Sequence, residues 1–288
     1  MTIAAALARA AARLRRAGVE TPELDAELLL AAALGRNRSF VLAHPEDELA
    51  RDVLATFRRA VRRRARREPL PYLLGRWEWL GMELHVTPAV LIPRPETEIL
   101  VEALAARLKG AVRILEVGTG SGCIAIGLAR LLPEARVVAL EPSAAALAVA
   151  IENAANLAVG ERIAFVNAPF PAGARGWGRF DAIAANPPYI PSAEVATLPP
   201  EVRDYEPREA VDGGPDGLEV LRALVAEGPA LLAAGGWLAT EVALGQAEAV
   251  VALLQADDRW EGIEVVPDLA RIPRVVLARR REIPEEAG

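Results

Sequence analysis

The chain has 288 residues, 52% of them hydrophobic and 25% charged, and a formal net charge of −6. That balance excludes a disordered or collagen-like chain, and no apolar run reaches the roughly 18 residues that a membrane span needs. A single cysteine, Cys123, excludes an internal disulfide and a multi-cysteine zinc site, and two histidines, His44 and His85, are too few for a histidine-rich centre, so no metal is expected. The charge is unevenly spread. Residues 1–74 hold 14 arginines and 9 acids, whereas the rest of the chain is strongly acidic. A basic head on an acidic body suggests two units with different partners.

The opening stretch, MTIAAALARAAARLRRAG, carries its arginines after the apolar residues, the reverse of a signal peptide. It reads as an amphipathic helix of a cytoplasmic protein. Leu7, Ala10, Ala11 and Leu14, then Leu24, Leu28, Ala31 and Ala32, recur at helical spacing. Thr21 and Pro22 suit a helix cap and first turn, and Gly18 and Gly35 suit helix stops. A small all-helical domain is expected over 1–70. It contains a run of seven arginines, Arg58, Arg59, Arg62, Arg63, Arg64, Arg66 and Arg67, which is either a solvated face or a steering patch for an acidic partner.

Pro69 and Pro71 end that region. Aromatics, alternation and a central glycine predict a β-hairpin over 71–92, leading into a loop. From Val112 apolar runs alternate with helical stretches. Strands are expected at VRILEVG, ARVVALE, RIAFVN and FDAIAAN, with helices at SGCIAIGLARLL and SAAALAVAIENAANL. Further on come a helix near 217–232, a strand at GGWLATEV, a helix near 246–256, and strands near 262–266 and 274–279. This alternation argues an α/β domain over 93–288, its largely parallel sheet covered on both faces.

Glu116-Val117-Gly118-Thr119-Gly120-Ser121-Gly122 joins the first strand to its helix, and Glu141 ends the next strand. Such a turn alone is a weak signal. Glu141 strengthens it, because a carboxylate there can accept hydrogen bonds from both ribose hydroxyls of a nucleotide. The dinucleotide pattern breaks at Cys123, where a third glycine would stand, and the lysine of a phosphate-binding loop is missing. The turn suits S-adenosylmethionine better, whose sulfonium and amine are cationic and would face Glu116.

Asn186-Pro187-Pro188-Tyr189 ends the strand FDAIAAN. Two prolines make a rigid strand exit. They also suit a specific chemistry. The nitrogen of an amide or a base amine has a delocalised lone pair and must be held for methylation. Asn186 Oδ1 and the Pro187 carbonyl can each accept one of its N–H groups, while Tyr189 covers the planar group. The prolines add no competing donor. Alignment and dipoles, not a strong base, then carry the reaction.

These two motifs resemble the class I S-adenosylmethionine methyltransferases that act on amide or amino nitrogens. Pro71-Tyr72-Leu73-Leu74-Gly75, Leu91-Ile92-Pro93-Arg94-Pro95-Glu96-Thr97-Glu98 and the stretch from Pro200 to Gly217 narrow the resemblance to the peptide chain release factor glutamine methyltransferases (PrmC/HemK family). The resemblance implies a Rossmann-like sheet, mostly parallel with an antiparallel last strand. It implies methyl transfer to the glutamine of a Gly-Gly-Gln motif in class I release factors, as part of translation termination. By matching positions, Glu116, Gly118, Thr119, Gly120, Ser121, Gly122, Glu141, Phe170 and Asn186 would bind the cofactor. Asn186, Pro187, Pro188 and Tyr189 would be catalytic and hold the glutamine, with Arg94, Glu96, Thr97 and Glu98 forming a wall. Two departures stand out: Ala168 where the family usually has an acid near the adenine amine, and Glu141 for the commoner aspartate. An rRNA or DNA amino-group methyltransferase is the alternative. The acidic catalytic half argues against it, so direct nucleic-acid binding and membrane binding are not expected.

Overall fold

A computed structural model of the chain describes residues 1–282; the last six residues of the expected 93–288 domain lie outside the described residues. The chain divides into two compact units, one of Met1–Arg76 with Leu198–Tyr205 and one of Trp77–Thr197 with the chain from Glu206 on. Among the described residues no helix is long and apolar enough to cross a membrane.

The first unit is helical: α1 (Ile3–Arg16), α2 (Pro22–Leu34), α3 (Arg38–Ala43), α4 (Arg51–Arg64) and α5 (Leu70–Leu74), with a helical turn at Pro200–Arg203. Ile3, Leu14, Leu29, Leu30, Phe57 and Val61 form its core. Thr2 Oγ1 caps α1 by accepting the Ala5 N–H, and Gly35 ends α2 at φ +62°. Thr21 holds the cap position of α2 but makes no capping bond; its hydroxyl donates to Asp25 instead. The arginine run splits by function. Arg64 is buried and donates to Asp25 (2.6 Å) and Glu201 (3.0 Å), Arg67 donates to both oxygens of Glu201, and Arg63 pairs with Glu68. Arg58, Arg59, Arg62 and Arg66 stay exposed. Residue 70, the expected end of this unit, opens α5. Pro69 and Pro71 flank the start of that helix rather than end one, because a first turn has no use for the missing N–H.

The hairpin is shorter than the 71–92 expected: β1 (Arg76–Trp79) and β2 (Met82–His85). Leu80 and Gly81 turn it with φ values of +46° and +63°, the geometry of a tight two-residue hairpin. Next comes α6 (Pro95–Ala105), a helix where the sequence pattern suggests a loop. It starts with Pro95, Glu96 and Glu98 in the first turn, where proline and carboxylates suit a helix N-terminus.

The α/β unit continues with β3 (Arg113–Val117), α7 (Cys123–Leu131), β4 (Arg136–Leu140), α8 (Ala144–Asn156), β5 (Ile163–Val166), β6 (Phe180–Ala185), β7 (Leu232–Glu241), β8 (Trp260–Pro267) and β9 (Pro273–Arg280), with helices Glu219–Leu231 and Ala247–Gln255 on either side of β7. The strands order β5-β4-β3-β6-β7-β9-β8. Those from β5 to β7 run parallel, and β9 pairs antiparallel with both β7 and β8. The Rossmann-like sheet with one reversed strand, the last, is therefore present. Alternate residues serve its two faces. Ile114, Val137 and Ala182 pack with Leu100, Leu104, Ile124 and Leu128. Leu115, Val138 and Ile183 pack with Leu221, Leu224, Val250 and Leu254. Burial on both faces explains why these strands read as continuous apolar runs.

Candidate active site

The site lies at the C-terminal ends of the parallel strands, where the order reverses between β3 and its two neighbours. Ligands of open α/β sheets bind at such switch points. The turn after β3 is fixed by Gly118 and Thr119 N–H groups, both donating to the Leu140 carbonyl at 3.0 Å. Gly118 and Gly120 have φ values of +77° and +54°, and a Cβ at either would meet nothing within 4 Å. They leave open space and bare backbone for a ligand. Gly122 differs: a Cβ there would press on Ile126 and Ala150, so it serves helix packing.

A cavity of about 380 Å³ brings together Gly118, Gly120, Glu141, Phe170, Asn186, Pro187 and Pro188. Glu116, Thr119, Ser121 and Gly122 lie behind that surface. Thr119 and Ser121 are buried, and the Thr119 hydroxyl donates to Glu116. Glu116 is fully buried, its Oε1 has no hydrogen-bond partner among the described residues, and burial pushes its pKa up to about 7. An orphaned buried carboxyl oxygen suits a cationic group, the character expected of the methionine end of the cofactor. Glu141 accepts the Gly120 N–H at 2.9 Å and the Ser143 N–H at 2.9 Å, one on each oxygen. Those bonds hold it at the cavity wall with lone pairs to spare. Its pKa is raised by burial, against the two N–H groups that lower it. Ala168, at the position of the family's usual acid, also lines the cavity, and so do Glu209 and Glu219, which the sequence reading did not single out.

Asn186 follows β6 directly. Its Nδ2 donates to Thr97 Oγ1 (3.0 Å), and the Thr97 hydroxyl donates to Glu241 Oε2 (2.6 Å). Oδ1 is left without a partner among the described residues. The exit of the tetrapeptide is held by Gln246, whose Nε2 donates to the Tyr189 carbonyl, and by the glycines of the segment 213–217. A Cβ on Gly213 would come within 2.6 Å of the Pro188 carbonyl and one on Gly217 within 2.2 Å of the Tyr189 carbonyl, so only glycine permits this approach. The Pro187 carbonyl keeps no partner among the described residues.

Tyr189, Arg94 and Glu98 do not line the cavity. The Tyr189 hydroxyl donates to Glu241 Oε1 at 3.4 Å, and burial together with Glu241 raises its pKa. Arg94 pairs with buried Glu206 at 2.8 Å and its carbonyl accepts the Trp79 indole N–H. Glu98 accepts the Leu80 N–H at the hairpin turn (2.7 Å). Asn153, which nothing in its helical context marks, joins the hairpin to the glycine turn. Its Oδ1 accepts the His85 N–H (2.7 Å), and its Nδ2 donates to the carbonyls of His85 and Ser121 (2.9 Å each). The one visible signal for Glu241 is a carboxylate closing the buried strand GGWLATE.

Comparison with known proteins places these residues in context. A family profile described as PrmC N-terminal domain matches residues 5–75, and one described as methyltransferase small domain matches 95–198. The chain is 46% identical to a release factor glutamine methyltransferase of Moorella thermoacetica, over 98% of this chain and 100% of that protein. It is 43% identical to one of Deinococcus radiodurans, over 95% and 97% of the two chains. Among solved structures, a methyltransferase of Pyrococcus furiosus aligns with a TM-score of 0.52 at 17% identity, over 70% of this chain and 91% of that one, a likeness of fold.

Proposed function

The chain belongs to the family of release factor glutamine methyltransferases, and from that premise we propose how its own residues carry the reaction. It is an S-adenosylmethionine-dependent protein-glutamine N-methyltransferase that modifies release factors. When bound, the cofactor supplies a methyl group activated by its sulfonium. Gly118 and Gly120 present open backbone to it, Glu141 accepts its ribose hydroxyls, and Glu116 lies behind the turn as a buried negative charge.

Asn186 Oδ1 accepts one N–H of the target glutamine amide and the Pro187 carbonyl accepts the other. Held this way, the amide presents its nitrogen face to the methyl group, which recovers the reactivity that delocalisation removes. Both acceptors would stabilise the positive charge that grows on the nitrogen as the methyl leaves the sulfonium, and one N–H proton would then pass to water. Pro188 keeps the turn rigid, and Tyr189 anchors its far end through Glu241. Arg94 and Glu98 shape the wall from behind, through Glu206 and the hairpin turn. The substrate is the Gly-Gly-Gln glutamine of class I release factors, met in the cytoplasm. The helical unit, residues 1–70 by sequence, docks that factor through the exposed arginines Arg58, Arg59, Arg62 and Arg66, since remote contacts can orient a small reacting group.

The observation that carries this reading is the Asn186 amide, which lines the cavity with Gly118, Gly120 and Glu141 and is anchored through Nδ2, Oδ1 being without a partner among the described residues. Its test is Asn186→Ala. Turnover falls by about 10²–10³-fold, the range for losing one preorganised polar group, while cofactor affinity measured by calorimetry holds. A variant that methylates the release factor at the wild-type rate would overturn the role given to Asn186.

A further inference from the structure

An asparagine amide is nearly symmetric in shape, so something must decide which end faces the substrate. Here the decision comes from two buried residues outside the Asn-Pro-Pro-Tyr turn. Thr97 on α6 is 1% exposed and Glu241 at the end of β7 is 2% exposed. The Thr97 hydroxyl has one proton, and it goes to Glu241 Oε2 at 2.6 Å. The same oxygen can then only accept, so Asn186 must offer Nδ2 to it, at 3.0 Å. Oδ1 is thereby turned to the cavity as an acceptor. The other oxygen of Glu241 accepts the Tyr189 hydroxyl at 3.4 Å. One carboxylate thus ties both ends of the tetrapeptide.

We propose that Glu241, acting through Thr97 and Tyr189, is the positioning residue that fixes the polarity of the Asn186 amide and so makes it an acceptor for the substrate amide. The proposal rests on the role of Asn186 given above. It requires Glu241 to be ionised. A protonated Glu241 can donate to Thr97, which frees the threonine hydroxyl to donate to Asn186 and invites the amide to flip its Nδ2 toward the substrate, donor against donor. The groups that face the carboxylate are Thr97 and Glu96 from α6, Tyr189 from the turn, Arg274 from β9 and Cys123 at the start of α7. Burial pushes Glu241 up to about 7, Glu96 adds to that, and Thr97, Tyr189 and Arg274 oppose it. The switch therefore falls in the neutral range, and the active form is the one above it.

The test uses the full-length enzyme, labelled S-adenosylmethionine and an intact release factor across pH 5.5–9, with calorimetric cofactor affinity for every variant. Thr97→Val lowers kcat by about 10²-fold, the cost of a misplaced positioning group, and leaves cofactor affinity in place. Thr97→Ser keeps the hydroxyl and restores most of the rate. Wild-type kcat rises with pH through about 7, where Glu241 and Glu116 both titrate, and Glu241→Gln removes the share that belongs to Glu241. Carboxyl carbon NMR of the cofactor-free protein shows two carboxyl groups titrating near 7, Glu116 and Glu241, and loses one of them in Glu241→Gln. Thr97→Val added to Asn186→Ala costs nothing more, because the relay then has nothing to orient. If Glu241→Gln fails to bind cofactor, the position 97 variants and the wild-type titration carry the test. Wild-type kcat in Thr97→Val, an acid limb that is the same in Glu241→Gln as in wild type, or additive losses in the double variant would each overturn the proposal while leaving Asn186 its role. An Asn186→Ala enzyme of undiminished rate would overturn both.

Discussion

Asn153→Leu removes a buried side chain of similar size whose three hydrogen bonds span the hairpin, α8 and the glycine turn. The Ser121 carbonyl loses its donor in a fully buried place, while the His85 N–H loses its acceptor and the His85 carbonyl its donor where water reaches in part. An unsatisfied buried group costs about 1–3 kcal/mol and a partly hydrated one about 1 kcal/mol. The sum is a loss of about 3–5 kcal/mol, a large share of a domain's stability. Urea unfolding followed by tryptophan fluorescence reads it as a lower midpoint at unchanged slope. Cofactor affinity falls as well, because Ser121 belongs to the turn that Gly118 and Gly120 open to the ligand. Asn156→Ala, on the same helix and exposed, is the control and changes stability by less than about 0.5 kcal/mol. A loss below about 1 kcal/mol in Asn153→Leu would show that the turn stands without this tie and would refute the reasoning.

Glu116 is held at about 7 in the folded chain, above its ordinary 4.5, so the folded state takes up a proton that the unfolded chain does not. Its contribution to stability is present below 4.5 and lost as pH rises through 7; relative to wild type, Glu116→Gln therefore gains up to about 3 kcal/mol between mildly acid and alkaline pH, and parallel profiles would refute it. Cys123 is buried and its thiol is pushed up to about 12 by burial and by Glu116; it resists maleimide in the native protein and reacts only in denaturant, and rapid native labelling would contradict that burial. Charge reversal at Arg58, Arg59 and Arg62 slows association with an intact release factor, most at low salt, and leaves reaction with a short Gly-Gly-Gln peptide unchanged; equal association rates at low salt would reduce these residues to a solvated face.

Much of the fold is written in local patterns. The runs RILEV, RVVAL and DAIAA are buried on both faces, so they carry no alternation but announce a parallel sheet by their β-branched and small residues. The glycines of the turn and the two prolines after Asn186 are legible because each sets a backbone conformation that few residues permit. Two boundaries misled: Pro69 and Pro71 suggest an ending, yet they frame the first turn of α5, and Pro95 with its acids starts a helix where the sequence suggested a loop. Residues that act by long-range contact left little trace. Asn153 looks like any polar residue on a helix, and its partners lie 32 and 68 positions away. Glu241 reaches Thr97 across 144 positions, a pairing that only the folded sheet creates. The arginine run shows the same limit: seven bases look alike in sequence, but Arg63, Arg64 and Arg67 are bound within the helical unit while Arg58, Arg59, Arg62 and Arg66 face solvent.

The central claim is that this site methylates a protein amide and not a base. Methyl-labelled S-adenosylmethionine is offered to the full-length enzyme with an intact release factor, with rRNA and with DNA, and the labelled products are digested and mapped. The account predicts label in one peptide only, on the glutamine of Gly-Gly-Gln. Label in either nucleic acid, or in the release factor at another residue, would contradict it.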